Sequence, residues 1–121
     1  MTKEQVDWTG LTRTAAGIPE VDVHWVSAQR GAVDRLIDVR ESHELVSALG
    51  HIEDIEHVPL ATVAAASESW DKEASVVVVC RSGGRSGRAA QYLEQQGFKH
   101  VVSMAGGMLA WNEVGLPKAE G

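Results

Sequence analysis

Four consecutive valines at positions 76–79 restrict the possible folds more than any other segment of this chain. A second short apolar run, residues 36–39, also lacks the strict alternation of apolar and polar residues that is typical of a strand with one solvent-exposed face. Such runs are typical of strands that are covered on both faces in a parallel sheet. Residues 58–60 and 100–103 are weaker strand candidates. The pattern therefore predicts a single α/β unit.

The segment after the valines has the pattern of a loop followed by a helix. Residues 86–96 place Ala89, Ala90 and Leu93 on one face and glutamine, glutamate and arginine side chains on the other. Gly97 stands where the C-terminus of a helix favours a left-handed residue. Shorter helices are predicted near residues 23–30, 42–49, 60–66 and 108–114.

Length and charge exclude several classes of protein. A chain of 121 residues suits one globular domain, and its formal charge of −6 disfavours nucleic acid or an anionic membrane surface as partners. The N-terminus lacks a basic region followed by an apolar stretch, and no apolar run could cross a bilayer, so a cytoplasmic location is predicted. One cysteine and five scattered histidines offer no internal disulfide and no recognisable metal site. We therefore expect no metal or other cofactor.

Cys80, the only cysteine, stands between the valine run and a loop of sequence Arg-Ser-Gly-Gly-Arg-Ser at residues 81–86. The N–H groups of such a loop and of the following helical turn lack internal acceptors and can converge on one point. Gly83 and Gly84 permit the positive φ angles and the close approach that this requires. Converging amides favour a thiolate, so the pattern predicts a partly exposed nucleophile with a lowered pKa. The alternative is a buried structural cysteine.

Three arginines, Arg81, Arg85 and Arg88, lie close behind Cys80. Cations near a helix N-terminus stand at the unfavourable end of the helix dipole unless an anion lies between them. They therefore indicate an anionic ligand, although solvated surface side chains would give the same pattern. A phosphate-binding loop of the Walker type is set aside because no Gly-Lys-Ser/Thr follows the glycines.

Three motifs in a fixed order carry a family resemblance. They are Leu-Ile-Asp-Val-Arg-Glu (36–41) with Gly-His-Ile (50–52) and Val-Pro (58–59), the loop Cys-Arg-Ser-Gly-Gly-Arg-Ser (80–86), and Gly-Gly-Met-Leu-Ala-Trp (106–111) with Gly-Leu-Pro (115–117). With these motifs the chain resembles the rhodanese-like domain family. The resemblance implies a rhodanese-like α/β fold with a central parallel sheet flanked by helices on both faces. It divides the chain into an N-terminal extension (1–20), a rhodanese-like domain (21–117) and a C-terminal tail (118–121).

The resemblance also implies a role for the loop. Cys80 would attack a sulfane-sulfur donor and carry the sulfur as a persulfide. The guanidinium of Arg81 or Arg85 would engage an anionic donor such as thiosulfate or 3-mercaptopyruvate. The implied substrate-binding residues are Arg81, Ser82, Gly83, Gly84, Arg85 and Ser86. Asp38 and Arg40 are interpreted as supports that hold the loop and strand ends together, in preference to direct contact with the donor.

The acceptor must be a second molecule, since no other thiol in the chain can resolve a persulfide. Cyanide, a small thiol or a partner protein would serve. The spacing from Cys80 to Arg85, Cys-x4-Arg, resembles sulfurtransferases, whereas the related phosphatases and arsenate reductases have a longer Cys-x5-Arg loop. A further alternative is a non-catalytic or sulfur-carrier module that binds a partner protein.

The chain departs from the family pattern at residues 50–55. Gly-His-Ile-Glu-Asp-Ile stands there in place of Gly-His-Ile-Pro-Gly-Ala, so a different turn is predicted without loss of the chemistry. His51 and His57 could form a proton relay, but packing roles are the better interpretation.

Overall fold

The computed structural model describes residues 5–120, and residues 1–4 and 121 of the predicted extension and tail lie outside this range. The strands are β1 (Thr12–Arg13), β2 (Pro19–Val21), β3 (Arg35–Asp38), β4 (Glu56–His57), β5 (Ser75–Val79) and β6 (His100–Met104). The helices are α1 (Val23–Gln29), α2 (Ser42–Leu45), α3 (Val63–Ser67), α4 (Gly84–Gln95) and α5 (Gly107–Glu113), with a 3-10 turn at Leu60–Thr62 before α3. None of the described helices combines the length and the apolar character needed to span a membrane.

The six strands form one sheet in the order β1-β2-β6-β5-β3-β4. Strands β2 to β6 run parallel to their neighbours, while β1 pairs antiparallel with β2 at one edge. A short turn that includes Gly17, at φ +83°, joins β1 to β2, and such a turn allows only antiparallel pairing. The predicted parallel sheet is thus correct for its centre, but the sheet is mixed because of β1.

The valine run occupies the middle of the sheet and explains why helices cover both faces. All five residues of β5 are buried. Val76 and Val78 belong to one apolar cluster, which includes Ala89 and Leu93 of α4, and Val77 and Val79 belong to the other. The second cluster includes Val23 and Val26 of α1 with Met108 and Trp111 of α5. Alternate side chains of a strand point to opposite faces, so each half of the run requires its own helical cover.

Two predicted elements have different bounds in the structure. The strand predicted at residues 58–60 is wrong, since β4 lies just before it at Glu56–His57. Pro59 has no N–H to pair with β3, and only Val58 and Leu60 donate, to the carbonyls of Asp38 and Val39. The helix predicted near residues 42–49 is the short α2, which ends at Leu45. In the turn at residues 53–54 that replaces the Pro-Gly of the family pattern, Asp54 takes a positive φ of 64°.

Residues 5–20 pack against the rest of the described chain. Trp8 stacks on Trp25 at 5.4 Å and on His100 at 5.8 Å between ring centroids. Arg13 forms a bidentate pair with Glu94 of α4. The predicted boundary at residue 20 cuts through β2, so the N-terminal segment contributes β1 and the first two residues of β2 to the sheet.

Candidate active site

Cys80 lies at the carboxyl end of the central strand β5, where the chain turns toward α4. Helix α5 anchors this turn, because the N–H groups of Met108 and Leu109 donate to the carbonyls of Cys80 and Arg81 at 2.9 and 3.0 Å. Gly107 makes the close approach possible. A Cβ at this position would lie 2.5 Å from the carbonyl oxygens of Cys80 and Arg81, and the residue has a φ of +57°. The Gly-Gly-Met motif therefore shapes the loop from outside it.

The sulfur of Cys80 faces the loop amides. Gly83, with a φ of +109°, donates its N–H to Sγ at 3.0 Å, and the Ser86 hydroxyl lies 3.4 Å from Sγ. Burial alone raises the pKa of this thiol, but hydrogen bonds from the Ser86 hydroxyl and from the amides of Ser86, Gly83 and Ser82 outweigh it. The net result is a pKa below the ordinary value of a cysteine. The site therefore favours the nucleophilic form of the sulfur.

The expectation of a partly exposed thiol is wrong for this conformation, since Cys80 is only 1% exposed. The sulfur lies 3.0 Å from the Gly83 amide and 3.4 Å from the buried Ser86 hydroxyl. Arg81, Ser82 and Gly84 are exposed on the outer side of this loop. With Cys80 buried in this way, a donor can contact the sulfur only after neighbouring residues move.

Arg85 is held by Glu44 of α2. The two side chains form a bidentate pair with N–O distances of 2.6 and 2.9 Å, and both are largely shielded from solvent. The Arg85 hydrogen bonds lower the pKa of Glu44 to about 2, with a smaller contribution from the N–H of Glu41. Glu44 is not among the residues that the sequence predicts for the site, since its partner lies 41 positions away along the chain. Its place in the segment after the Asp-Val-Arg-Glu motif was the only signal.

We expect Glu44→Gln to reduce the free energy of unfolding at neutral pH by about 1–2 kcal/mol, the scale of a lost charge-assisted hydrogen-bond pair. Because folding lowers the pKa of Glu44, its contribution is complete above the unfolded value and is lost as the pH falls toward 2. Denaturant titrations from pH 7 to pH 2 should therefore show the two proteins converging in acid. Glu94→Gln, which breaks the exposed pair with Arg13, is the matched control. A constant difference at every pH would contradict this role for Glu44.

Asp38 and Arg40 form a fully buried ion pair behind the loop. Arg40 donates through Nε and Nη2 to the Asp38 carboxylate, with a shortest distance of 2.8 Å. Its remaining donors reach the carbonyls of Gly50 at 2.7 Å and Glu44 at 3.3 Å. The pair thus joins the end of β3 to the segment that carries Glu44. Among the described residues, neither side chain hydrogen-bonds to the Cys80 sulfur.

The histidines of this region bond to backbone carbonyls. His57 Nε2 lies 2.7 Å from the Arg40 carbonyl oxygen, and His51 Nδ1 lies 2.9 Å from that of Leu45. These contacts hold the two rings against the backbone of Leu45 and Arg40. Within residues 5–120, neither ring hydrogen-bonds to the Cys80 sulfur. They favour the packing interpretation of both residues.

Two of the predicted cationic residues remain available to an anion. Arg81 and Arg88 are exposed, and within residues 5–120 neither pairs with a carboxylate. Arg88 lines an apolar cavity of about 430 Å³ between α3 and α4. Because Arg85 is already occupied by Glu44, Arg81 is the loop arginine that is free to meet a donor.

Ser103 was also missed by sequence analysis. It is the one polar residue among the four fully buried residues of β6, and its Oγ lies 2.7 Å from that of Ser86. The two hydroxyls and the Cys80 sulfur thus form a continuous buried chain. A serine in an otherwise apolar strand is the only sequence signal that could have indicated it.

Comparisons with known proteins identify the family of this chain. The model of the rhodanese-like domain matches residues 22–114. The chain is 42% identical over 83 residues to "Putative sulfurtransferase YtwF" of Bacillus subtilis, covering 69% of this chain and 78% of that protein. It is 39% identical over 82 residues to "Sulfurtransferase" of Allochromatium vinosum, covering 68% of this chain and 75% of that protein. It is 31% identical over 102 residues to "Putative sulfur carrier protein YrkF" of B. subtilis, covering 83% of this chain and 54% of that protein.

Solved structures share the fold. The crystal structure of a rhodanese-related protein from Thermoplasma volcanium superposes with a TM-score of 0.72 at 26% identity, covering 81% of this chain and 94% of that chain. A rhodanese-like domain protein from Staphylococcus aureus gives a TM-score of 0.69 at 26% identity, covering 83% of this chain and 97% of that chain.

Proposed function

The chain belongs to the rhodanese-like domain family, and from this premise we propose that it is a sulfurtransferase that works through a Cys80 persulfide. Sulfane sulfur comes from an anionic donor such as thiosulfate and passes to a thiophilic acceptor. The observation that carries the proposal is the Gly83 amide, which donates to Sγ at 3.0 Å, together with the Ser86 hydroxyl 3.4 Å from the same atom. Relatives named as sulfurtransferases support the same class of reaction.

The first half of the reaction loads the cysteine. The Cys80 thiolate attacks the outer sulfur of thiosulfate, the new Sγ–S bond forms, and the S–S bond of the donor breaks. The electron pair of the broken bond leaves with sulfite. Loop amides and the exposed guanidinium of Arg81 would hold the anionic donor for this attack.

The second half of the reaction removes the sulfur from Cys80. An acceptor such as cyanide or a thiolate attacks the outer sulfur, the Sγ–S bond breaks, and its electron pair returns to Sγ. Groups that stabilise the thiolate therefore also stabilise it as the leaving group. The acceptor is external, since Cys80 is the only cysteine of the chain.

The short loop suits sulfur transfer better than phosphate hydrolysis. Four residues separate Cys80 from Arg85, and Arg85 is engaged with Glu44 instead of facing an empty oxyanion pocket. A tetrahedral oxyanion needs several donors around three oxygens, whereas a persulfide places only one further sulfur among the amides.

The second candidate function is a sulfur carrier that docks on a partner protein. The name of one relative, a sulfur carrier protein, favours it, although the chain covers only 54% of that protein. A carrier would bind sulfur on Cys80 through the same amides but would unload only onto its partner. The two functions therefore differ in turnover with small acceptors.

A donor panel with intact-mass measurement tests both. We expect thiosulfate or 3-mercaptopyruvate to add one sulfur atom to the protein, in a form that reductant removes, with sulfite released in equal amount when thiosulfate is the donor. Protein alkylated at Cys80 beforehand is the control and should gain no sulfur. Repeated turnover with cyanide supports the enzyme, and a single stoichiometric loading without turnover supports the carrier. Absence of any added sulfur with every donor contradicts both functions.

A further inference from the structure

A buried hydroxyl near the loop, that of Ser103, has no role in the sulfur transfer proposed above. Ser103 of β6 is 0% exposed, and in the described part of the chain the Ser86 hydroxyl is the only partner of its Oγ. Burying a hydroxyl among apolar residues is costly unless it is hydrogen-bonded. The strand would pack with an apolar residue here, so the hydroxyl itself requires an explanation.

The direction of the hydrogen bonds follows from counting protons. Ser86 has one hydroxyl proton, and with the thiol protonated it is donated to the Gly83 carbonyl at 3.2 Å. The proton in the 2.7 Å hydrogen bond between Ser86 and Ser103 must then come from the Ser103 hydroxyl. Ser86 Oγ also accepts from the Cys80 thiol at 3.4 Å. Ser103 is therefore the donor and Ser86 the acceptor.

Loss of the thiol proton removes the bond from the thiol to Ser86 Oγ and leaves the bond from Ser103 to Ser86 in place. The Ser86 hydroxyl then turns from the Gly83 carbonyl to the sulfur anion and donates to it. The Gly83 carbonyl keeps a partner after this turn, because the N–H of Gly87 donates to it at 2.9 Å. The switch therefore leaves no buried carbonyl without a hydrogen bond.

We propose that Ser103 is a positioning residue for the Cys80 thiolate: its hydroxyl donates to Ser86 Oγ and so keeps the Ser86 proton on the side of the sulfur. A hydroxyl that accepts a hydrogen bond is a stronger donor, because neighbouring bonds in a buried chain polarise one another. Ser103 touches neither the sulfur nor the donor and acts through Ser86 alone. The inference deepens the proposed function and rests on it for the step in which the thiolate attacks or leaves.

The charged groups near the sulfur lie on other elements. Arg85 of α4 interacts electrostatically with Cys80 and is paired with Glu44 of α2, and Arg81 is its neighbour in the loop. Asp38, the last residue of β3, and Arg40, just after it, form a closed pair. Strand β6 contributes no charged side chain among its four buried residues. A change at Ser103 therefore removes a hydroxyl without altering the charge around the thiol.

The experiment is a pH titration of the thiolate by its ultraviolet absorbance in the full chain. Cys80 is the only cysteine, so no other thiol contributes to the absorbance change, and Cys80→Ser supplies the baseline for other groups such as Tyr92. We expect Ser103→Ala to raise the midpoint by about 0.5 pH unit and Ser86→Ala by about 1 unit or more. Ser67→Ala, which removes another buried hydroxyl, should leave the midpoint unchanged.

A double variant separates positioning from a general structural effect. If Ser103 acts through Ser86, Ser103→Ala should not shift the midpoint further once Ser86 is alanine. An unchanged or lowered midpoint in Ser103→Ala overturns the proposal, and so does an equal shift in the Ser86→Ala background. The titration needs no sulfur donor. A failure of the donor panel with a positive titration would thus count against sulfur transfer while leaving the role of Ser103 in place.

Discussion

Cys80→Ser is expected to abolish sulfur transfer, lowering turnover by about 10³-fold or more, the scale of loss when an enzyme loses its nucleophile. Serine preserves the size of the side chain, and the Gly83 amide can still donate to its oxygen in place of Sγ. The hydroxyl, however, stays protonated at neutral pH and forms no persulfide. Thiosulfate-to-cyanide turnover and sulfur uptake by intact mass should both vanish, while the melting temperature changes little.

A displaced thiol provides the matched control for this variant. Ser69 is exposed near the end of the α3 segment, and Ser69→Cys in the Cys80→Ser background restores a thiol that no loop surrounds. We expect this double variant to remain inactive, because the amides and the Ser86 hydroxyl make Cys80 reactive as a thiolate. Turnover in Cys80→Ser itself would remove the persulfide from the mechanism. Activity in the double variant would show that any accessible thiol suffices.

Local pattern predicted the parts of the fold that depend on neighbours in sequence. The buried strand β5, the glycine-rich loop and α4 follow one another, and the sequence pattern that predicts each lies within a short segment. The antiparallel β1 was missed because two residues carry no detectable periodicity. The strand predicted at residues 58–60 was misplaced, since β4 lies at Glu56–His57, because apolar character was given more weight than the missing N–H of Pro59.

The residues of the candidate site also fall into those that are contiguous in sequence and those that are distant in sequence. Cys80 and the loop amides are contiguous, so their convergence could be predicted from the loop and the helix that follows it. The side chains that complete the site come from distant strands and helices. Glu44 reaches Arg85 across 41 positions, and Ser103 reaches Ser86 across 17. Such contacts depend on strand order, which no local pattern specifies.

The second large effect concerns stability, and it lies at Arg40. We expect Arg40→Ala to reduce the free energy of unfolding by about 3–5 kcal/mol, because it leaves a buried carboxylate without its partner. Asp38 and Arg40 are both 0% exposed, so solvent cannot replace the lost guanidinium. The carbonyl of Gly50 also loses its 2.7 Å donor. A fall in melting temperature of roughly 10–20 °C corresponds to this loss for a domain of such size.

Arg13→Ala is the matched control, since it removes the same side chain from an ion pair that is exposed. Arg13 and Glu94 retain 52% and 36% of their side-chain exposure, and water can solvate either partner after the other is removed. We therefore expect little change in its melting temperature. Equal melting temperatures for Arg40→Ala and Arg13→Ala, measured by circular dichroism, would contradict a structural role for the buried pair. A large loss confined to Arg40→Ala would support the buried pair as the structural link between the end of β3 and the segment carrying Glu44.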